Sequence, residues 1–217
     1  MQITNRYHYY TNFKATKVAT AYNYAHGNTA IDIFKMSQSD KVFLEKLSKK
    51  VSIKESCPKL LQSVQERWQK VFDYCIQEAK EPDNCTYLAV SEGRPCGILT
   101  YHEESSKNNY LDGVCAIPDS KGKKIPLTGR SLLYQLFKDS SGQKEKKGII
   151  LDAIHDGPID VVQMYEGLNF TPIAANDKYT IMSCNKFKVA KEIDNFKRNI
   201  EYHDDYVEHV NLEEILD

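Results

Sequence analysis

Hydrophobic positions in this chain follow two rhythms, and their order predicts a layered domain. Ile31, Asp32, Ile33 and Phe34 alternate over a short stretch, so we read a first strand there. Ser39 and Asp40 then precede a helix in which Val42, Phe43 and Leu47 share one face. Residues 51–58 read as a loop. Over 59–80, Leu60, Leu61, Val64, Trp68, Val71, Phe72, Cys75 and Ile76 recur at helical spacing, and Pro82 lies in the polar stretch that stops the run. Residues 85–90 and 96–102 read as two strands joined by a turn at 91–95, a hairpin. A strand at 110–117, a helix at 131–137, a buried strand at 148–154, a helix ending near Phe170, and short strands at 172–175 and 179–184 complete the pattern. The order is β α α β β β α β α β β. It predicts an α/β (α+β layered) domain with a partly antiparallel sheet.

The flanks differ from this middle region. Residues 1–28 are polar and rich in tyrosine, and we read them as an N-terminal extension covering the core. Beyond Cys184, Val189, Ile193, Phe196 and Ile200 have helical spacing, lysines come first and acidic residues last. The division expected is therefore 1–28, a central domain at 29–184, and a C-terminal helical and acidic extension at 185–217.

Composition removes several functions. Hydrophobic residues make up 41% and charged residues 27% of the 217, ordinary for a globular protein. A net charge of −1 supplies no broad positive field, which argues against nucleic acid as a partner. The six cysteines show neither C-x-x-C nor zinc spacing, so we read reduced thiols, no metal and a cytoplasmic location. No apolar run is long enough to span a bilayer, so no membrane role is expected.

The chemistry lies between 109 and 170. A strand is followed by a loop in which Lys121, Lys123 and Lys124 are offset by Asp119, then by an apolar helix, a strand and the sequence Tyr165-Glu166-Gly167-Leu168-Asn169-Phe170. Over residues 29–184 this resembles the GCN5-related N-acetyltransferases (GNAT). Their phosphate loop reads Arg/Gln-x-x-Gly-x-Gly/Ala and is followed later by Tyr-x-x-x-Gly-Phe. Two registers fit the loop, one starting at Lys121 and one at Lys124, which implies an insertion of three residues. We prefer the second, which puts Gly129 where backbone approaches a phosphate and lets Thr128 cap the helix. In the second motif Asn169 replaces glycine, and Asn tolerates a left-handed helix end.

The resemblance implies a mostly antiparallel central sheet flanked by helices and an acetyl-CoA-dependent transfer of acetyl to a primary amine. The amine would attack directly in a ternary complex. Cofactor contacts would come from Cys115, Ala116 and Ile117 along the strand, and from Lys124, Ile125, Leu127, Thr128, Gly129, Arg130 and Ser131 at the loop and helix start. Tyr165 matches the family's general acid. Asp112 and Glu104 are candidate bases, with Glu103, Asp152 and His155 nearby in sequence; Asp112 is one residue past the family's glutamate position and needs a bulge to face the site. Asp160 could replace a cofactor-touching Asn. The acceptor, a small molecule or a protein, is undetermined, and a homodimer is compatible with the chain. Two other readings stay open: a non-catalytic GNAT-like protein that binds acyl-CoA as a regulatory or interaction module, and a toxin or effector that acylates a macromolecule.

Overall fold

The computed structural model describes residues 15–23, 29–119, 121–142, 147–155, 159–197, 201–203, 208–210 and 212. The expectations for 1–14 and for the acidic end beyond Leu212 lie outside the described residues. The chain runs through β1 (Ala15–Asn23), β2 (Thr29–Lys35), α1 (Lys41–Lys50), α2 (Ile53–Ser56), α3 (Gln62–Glu78), β3 (Cys85–Ser91), β4 (Arg94–Glu103) and β5 (Asn108–Ala116). It continues as α4 (Thr128–Gly142), β6 (Gly148–Ile154), α5 (Val161–Glu166), β7 (Thr171–Ala175), β8 (Tyr179–Cys184), α6 (Lys186–Lys197), β9 (Glu201–His203) and β10 (Glu208–Val210).

One sheet orders these strands β10-β1-β2-β3-β4-β5-β6-β8-β7, with β9 also pairing β1. Every described pairing is antiparallel except β5 with β6. This is the layered, mostly antiparallel sheet that the sequence predicts. At the β3–β4 turn Glu92 (φ 52°) and Gly93 (φ 71°) are both left-handed, the geometry that matches the twist of a tight hairpin.

The central strands are buried on both faces. On one face Phe43, Leu47, Ile53, Trp68 and Phe72 of α1 to α3 pack against Phe34, Leu88 and Ile98. On the other, Leu132, Leu136, Phe137 and Phe196 of α4 and α6 cover Ile33, Leu99, Leu111 and Leu151. Each such side chain contributes about 1.5–3 kcal/mol by leaving water. Phe196 meets both Tyr134 and Phe137 edge-on, at 6.0 and 5.4 Å between ring centres, which docks α6 on α4.

Several local expectations are corrected. The stretch 1–28 contains β1, which pairs along β2 with a shift between Lys17 and Ala19. The expected loop at 51–58 contains α2, capped by Ser52, whose Oγ accepts from the Glu55 N–H. In α1, Leu44 rather than Val42 faces the core, with Val42 47% exposed. Asp40 turns its carboxylate back to Ser37 and does not cap α1. Leu60 and Leu61 precede α3 and are exposed. The tail adds β9 and β10 to β1, pairings without an alternating signal in the sequence.

Candidate active site

The parallel ladder between β5 and β6 is short. It pairs Asn108 with Gly148 and ends at Leu111 with Leu151. Beyond it β5 follows β4 while β6 follows β8, and the two strands part. A cavity of about 960 Å³ opens into that gap, walled by α3, the start of α4 and α5.

A bulge sets the floor of the cavity. Tyr101 pairs with Leu111 and Thr100 with Gly113, so Asp112 is an extra residue on β5. Asp112 faces the α3 side, opposite Leu111, and the bulge keeps Gly113 on that side too; the Asp112 carboxylate meets His102 Nδ1 at 2.9 and 3.1 Å. The Asp112 side chain is only 4% exposed. Burial raises its pKa above the ordinary aspartate value, and the His102 hydrogen bond pulls it partly back. Gly113 leaves room for α3, since a Cβ there would stand 2.7 Å from Cys75 Sγ.

Tyr165 projects from α5 into the same cavity. Its ring packs edge-on against Phe170, 5.4 Å between centres. The residue is 7% exposed, and its hydroxyl has no hydrogen-bond partner among the described residues. Burial pushes its pKa well up, so it stays protonated as a donor. Asn169 has a φ of 63°, the left-handed helix end anticipated for it.

The free edge of β5 is narrower than expected. Ile117 N–H donates to Cys96 O at 2.8 Å, so the alternating main-chain groups of Cys115 and Ile117 face β4. The groups facing the gap belong to Val114 and Ala116. The Ala116 carbonyl already accepts from Trp68 Nε1 at 2.9 Å. The Cys115 thiol is buried, with a pKa pushed up to about 12, and is no nucleophile.

The loop holds its two candidate registers in different conformations. Asp119 Oδ1 accepts the N–H groups of Lys121 and Lys123, and Asp119 N–H donates to Lys123 O, closing a tight turn around Gly122 (φ 75°). Those amides are taken within the turn. Leu127, by contrast, holds φ 67°, a conformation that favours glycine, at the position of the second register's first glycine. An added Cβ on Gly129 would meet nothing within 4 Å. Gly129 and Arg130 N–H groups lie in the first turn of α4 with no described partner, which leaves them for an anion.

Other loop residues turn away. Thr128 is buried and donates its hydroxyl to Ile125 O rather than capping α4. Its methyl fills the space above Gly97, where a Cβ would sit 2.4 Å from it. Ser131 donates both its N–H and its hydroxyl to Leu127 O, so it offers nothing to a ligand. Of the residues anticipated for the cofactor, Cys115, Ala116, Lys124, Gly129 and Arg130 line the cavity, whereas Ile117, Ile125, Leu127, Thr128 and Ser131 do not. The buried Nε atoms of Arg130 and of Arg67, on α3, have no acceptor, and Lys124 Nζ lies 5.0 Å above the Trp68 ring. These groups suit a polyphosphate.

Among the candidate bases, Glu104 is exposed past the end of β4 and does not reach the cavity. Its neighbour Glu103 pairs with Lys147 at 2.6 Å. Asp152 lines the cavity; His155 does not, and its Nε2 lies 2.8 Å from Thr180 Oγ1. Asp160 caps α5 through the Gln163 N–H. Sequence reasoning missed Tyr74, Tyr110, Tyr179, Arg67 and the partnership of His102 with Asp112. These depend on strand register and helix placement, for which no local spacing is diagnostic.

This splayed sheet with a helix start at its mouth is the GNAT fold. FdhC, a nucleotide-linked sugar GNAT solved in its apo form, aligns at 11% identity over 87% of this chain and 97% of its own, with a TM-score of 0.53. An uncharacterized protein from Bacillus halodurans aligns at 10% identity over 87% and 98%, also at 0.53. The PaiA N-acetyltransferase from Thermoplasma acidophilum, solved with coenzyme A, aligns at 16% identity over 71% and 98%, at 0.47. No family model and no curated protein matches the chain in sequence. Among the described residues no helix is long and apolar enough to cross a membrane, no group of three or more metal-ligating side chains forms, and all six cysteines are free.

Proposed function

We propose that the chain is an acetyl-CoA-dependent N-acetyltransferase that transfers acetyl to a primary amine by direct attack in a ternary complex. The observation that carries this reading is the cavity in the β5–β6 gap, with Asp112 at its floor, Tyr165 in its wall and the start of α4 at its mouth. The Gly129 and Arg130 amides, backed by the positive end of α4 and by Arg130, Arg67 and Lys124, would take the pyrophosphate. The Val114 and Ala116 edge would pair with the pantetheine arm as an added strand does.

Asp112 takes a proton from the incoming ammonium, and its raised pKa makes it a stronger base than an exposed aspartate. His102 holds the carboxylate in place. As the amine nitrogen bonds to the acetyl carbon and the C–S bond breaks, Tyr165 donates its proton to the leaving sulfur and regains one as the nitrogen sheds its second proton. The thioester is already reactive, so holding both partners in line supplies much of the rate.

The test pairs calorimetric titration of acetyl-CoA with free-thiol release in the presence of amines, using Asp112→Asn as control. Binding with amine-dependent thiol release, lost in the variant, supports the proposal. Binding without turnover on any small amine, peptide or protein acceptor would leave the non-catalytic acyl-CoA-binding reading. No binding would sink both.

A further inference from the structure

The cavity is electrically polarised. Arg67 and Lys70 line it from α3 and Lys124 and Arg130 from the loop and the start of α4, whereas Asp112 and Asp152 line the floor on adjacent strands. Tyr110 pairs with Ile150 and Leu111 with Leu151, so Asp112 and Asp152 follow side by side where the strands begin to part. Their backbones there start about 5 Å apart. Tyr110 stands at the Asp152 carboxylate, which adds to burial in raising its hydroxyl pKa. Tyr74 reaches in from α3, its pKa pushed up to about 12 by burial first and then by Glu78, Asp112 and Asp152. Tyr179 of β8 completes this wall.

His102 is already committed to Asp112. Neither Asp152 nor Glu78 has a cationic partner among the described residues. Asp152 is exposed, at the open side of this aromatic wall, where a positive charge besides that of the reacting ammonium can reach it. Tyrosine ring faces attract cations, and a carboxylate beside them adds to that attraction. Tyr165, 7% exposed as a residue and with an unpartnered hydroxyl on the same cavity, marks the reacting end independently of the acidic wall.

Resting on the transferase reading above, we propose that the acceptor is an alkyl diamine or polyamine. Its reacting nitrogen lies at Asp112, and its second ammonium group is held by Asp152 among Tyr74, Tyr110 and Tyr179. One nitrogen gains the acetyl group and releases two protons, one to Asp112 and one that restores Tyr165 after it protonates the leaving thiol, and the second nitrogen keeps its charge.

Two measurements separate this from the transferase reading. The first titrates 1,4-diaminobutane and butylamine calorimetrically into the protein saturated with CoA, which needs no turnover. The diamine should bind on the order of tenfold more tightly than the monoamine, a difference of about 1.4 kcal/mol, and Asp152→Asn should collapse that ratio toward one. The second compares kcat/KM for the same amines, where the same ratio should appear. Equal binding of the two amines, or a preference that survives Asp152→Asn, overturns the proposal. Selective diamine binding without acetyl transfer upholds the acceptor class and overturns catalysis instead. Circular dichroism of Asp152→Asn guards against misfolding, and Asp152→Glu should restore part of the preference.

Discussion

His102 Nδ1 lies 2.9 Å from Asp112 Oδ1, a diagonal contact across β4 and β5 made just where Asp112 opens a bulge. Leu111 faces α4, so strict alternation already puts Asp112 on the α3 side with Tyr110, and a regular ladder would return Gly113 to the α4 side. The bulge keeps Asp112 and Gly113 both on the α3 side. A half-exposed imidazole thus orients a carboxylate that is almost fully buried.

Asp112→Asn should lower kcat by about 10²–10⁴-fold. A base must be unprotonated, so kcat/KM falls as pH drops through the Asp112 pKa. That acid limb should lie above the ordinary value of 3.8, because burial raises this carboxyl. His102→Asn removes a lowering partner and should move the limb to higher pH. The same raised pKa favours the folded state at low pH. Its contribution is full below the unfolded value and is lost as pH rises through the folded one. An acid limb left unchanged in Asp112→Asn would assign the base to another group.

Tyr165→Phe should reduce kcat about 10²-fold with little change in KM for acetyl-CoA. The hydroxyl has no partner among the described residues and the ring packs on Phe170, so the unfolding midpoint should hold or rise. Because burial pushes the pKa up, no loss of activity assignable to Tyr165 should appear up to pH 10. A full-rate Tyr165→Phe enzyme would move the donor role to water.

Much of this arrangement was legible in the chain. The helical spacing of Trp68, Phe72, Cys75 and Ile76 placed α3, and the Glu92-Gly93 turn placed the β3–β4 hairpin, because both signals are local. The phosphate register was legible down to two choices, and the left-handed Leu127 favours the second. What stayed hidden is non-local. The bulge at Asp112 depends on a shift opposite Thr100 and Tyr101. The β1, β9 and β10 strands are polar enough that pairing, not pattern, defines them. Ser131 and Thr128 were natural phosphate ligands by type, yet the loop uses both hydroxyls to close itself.

Gly129→Ala and Gly129→Trp should behave oppositely. An added Cβ meets open space, so alanine should leave stability and acetyl-CoA affinity nearly unchanged. Tryptophan should fill the approach of a phosphate to the helix start. In wild type, acetyl-CoA at a hundredfold excess over Kd should raise stability by about 2.7 kcal/mol, and that gain should vanish in Gly129→Trp. A gain retained in Gly129→Trp would move the pyrophosphate away from α4.

Away from the cavity, Asp139 is the anchor of α4 on the sheet. Tyr87 and Tyr101 both donate to its Oδ2, at 2.6 and 2.5 Å. Asp139→Asn replaces two charge-assisted hydrogen bonds with neutral ones and should cost about 1.5–3 kcal/mol in chemical denaturation. Asp139→Ala should cost more, since both buried hydroxyls then lose their acceptor. Denaturation midpoints within error of wild type would show that water replaces Asp139.

Trp68 is the sole tryptophan, and it stands in the cavity wall with Nε1 on the Ala116 carbonyl and Lys124 above its ring. The emission of the whole protein therefore reports this one position. An arm pairing with the Val114 and Ala116 edge would compete for the same carbonyl, and a polyphosphate would draw Lys124 off the ring. Saturating acetyl-CoA should change the emission intensity, with a midpoint equal to the calorimetric Kd. Trp68→Phe should remove the signal and cost about 1 kcal/mol, because Ala116 loses its donor. If calorimetry shows acetyl-CoA bound while the emission stays fixed, the arm does not run along this edge of β5.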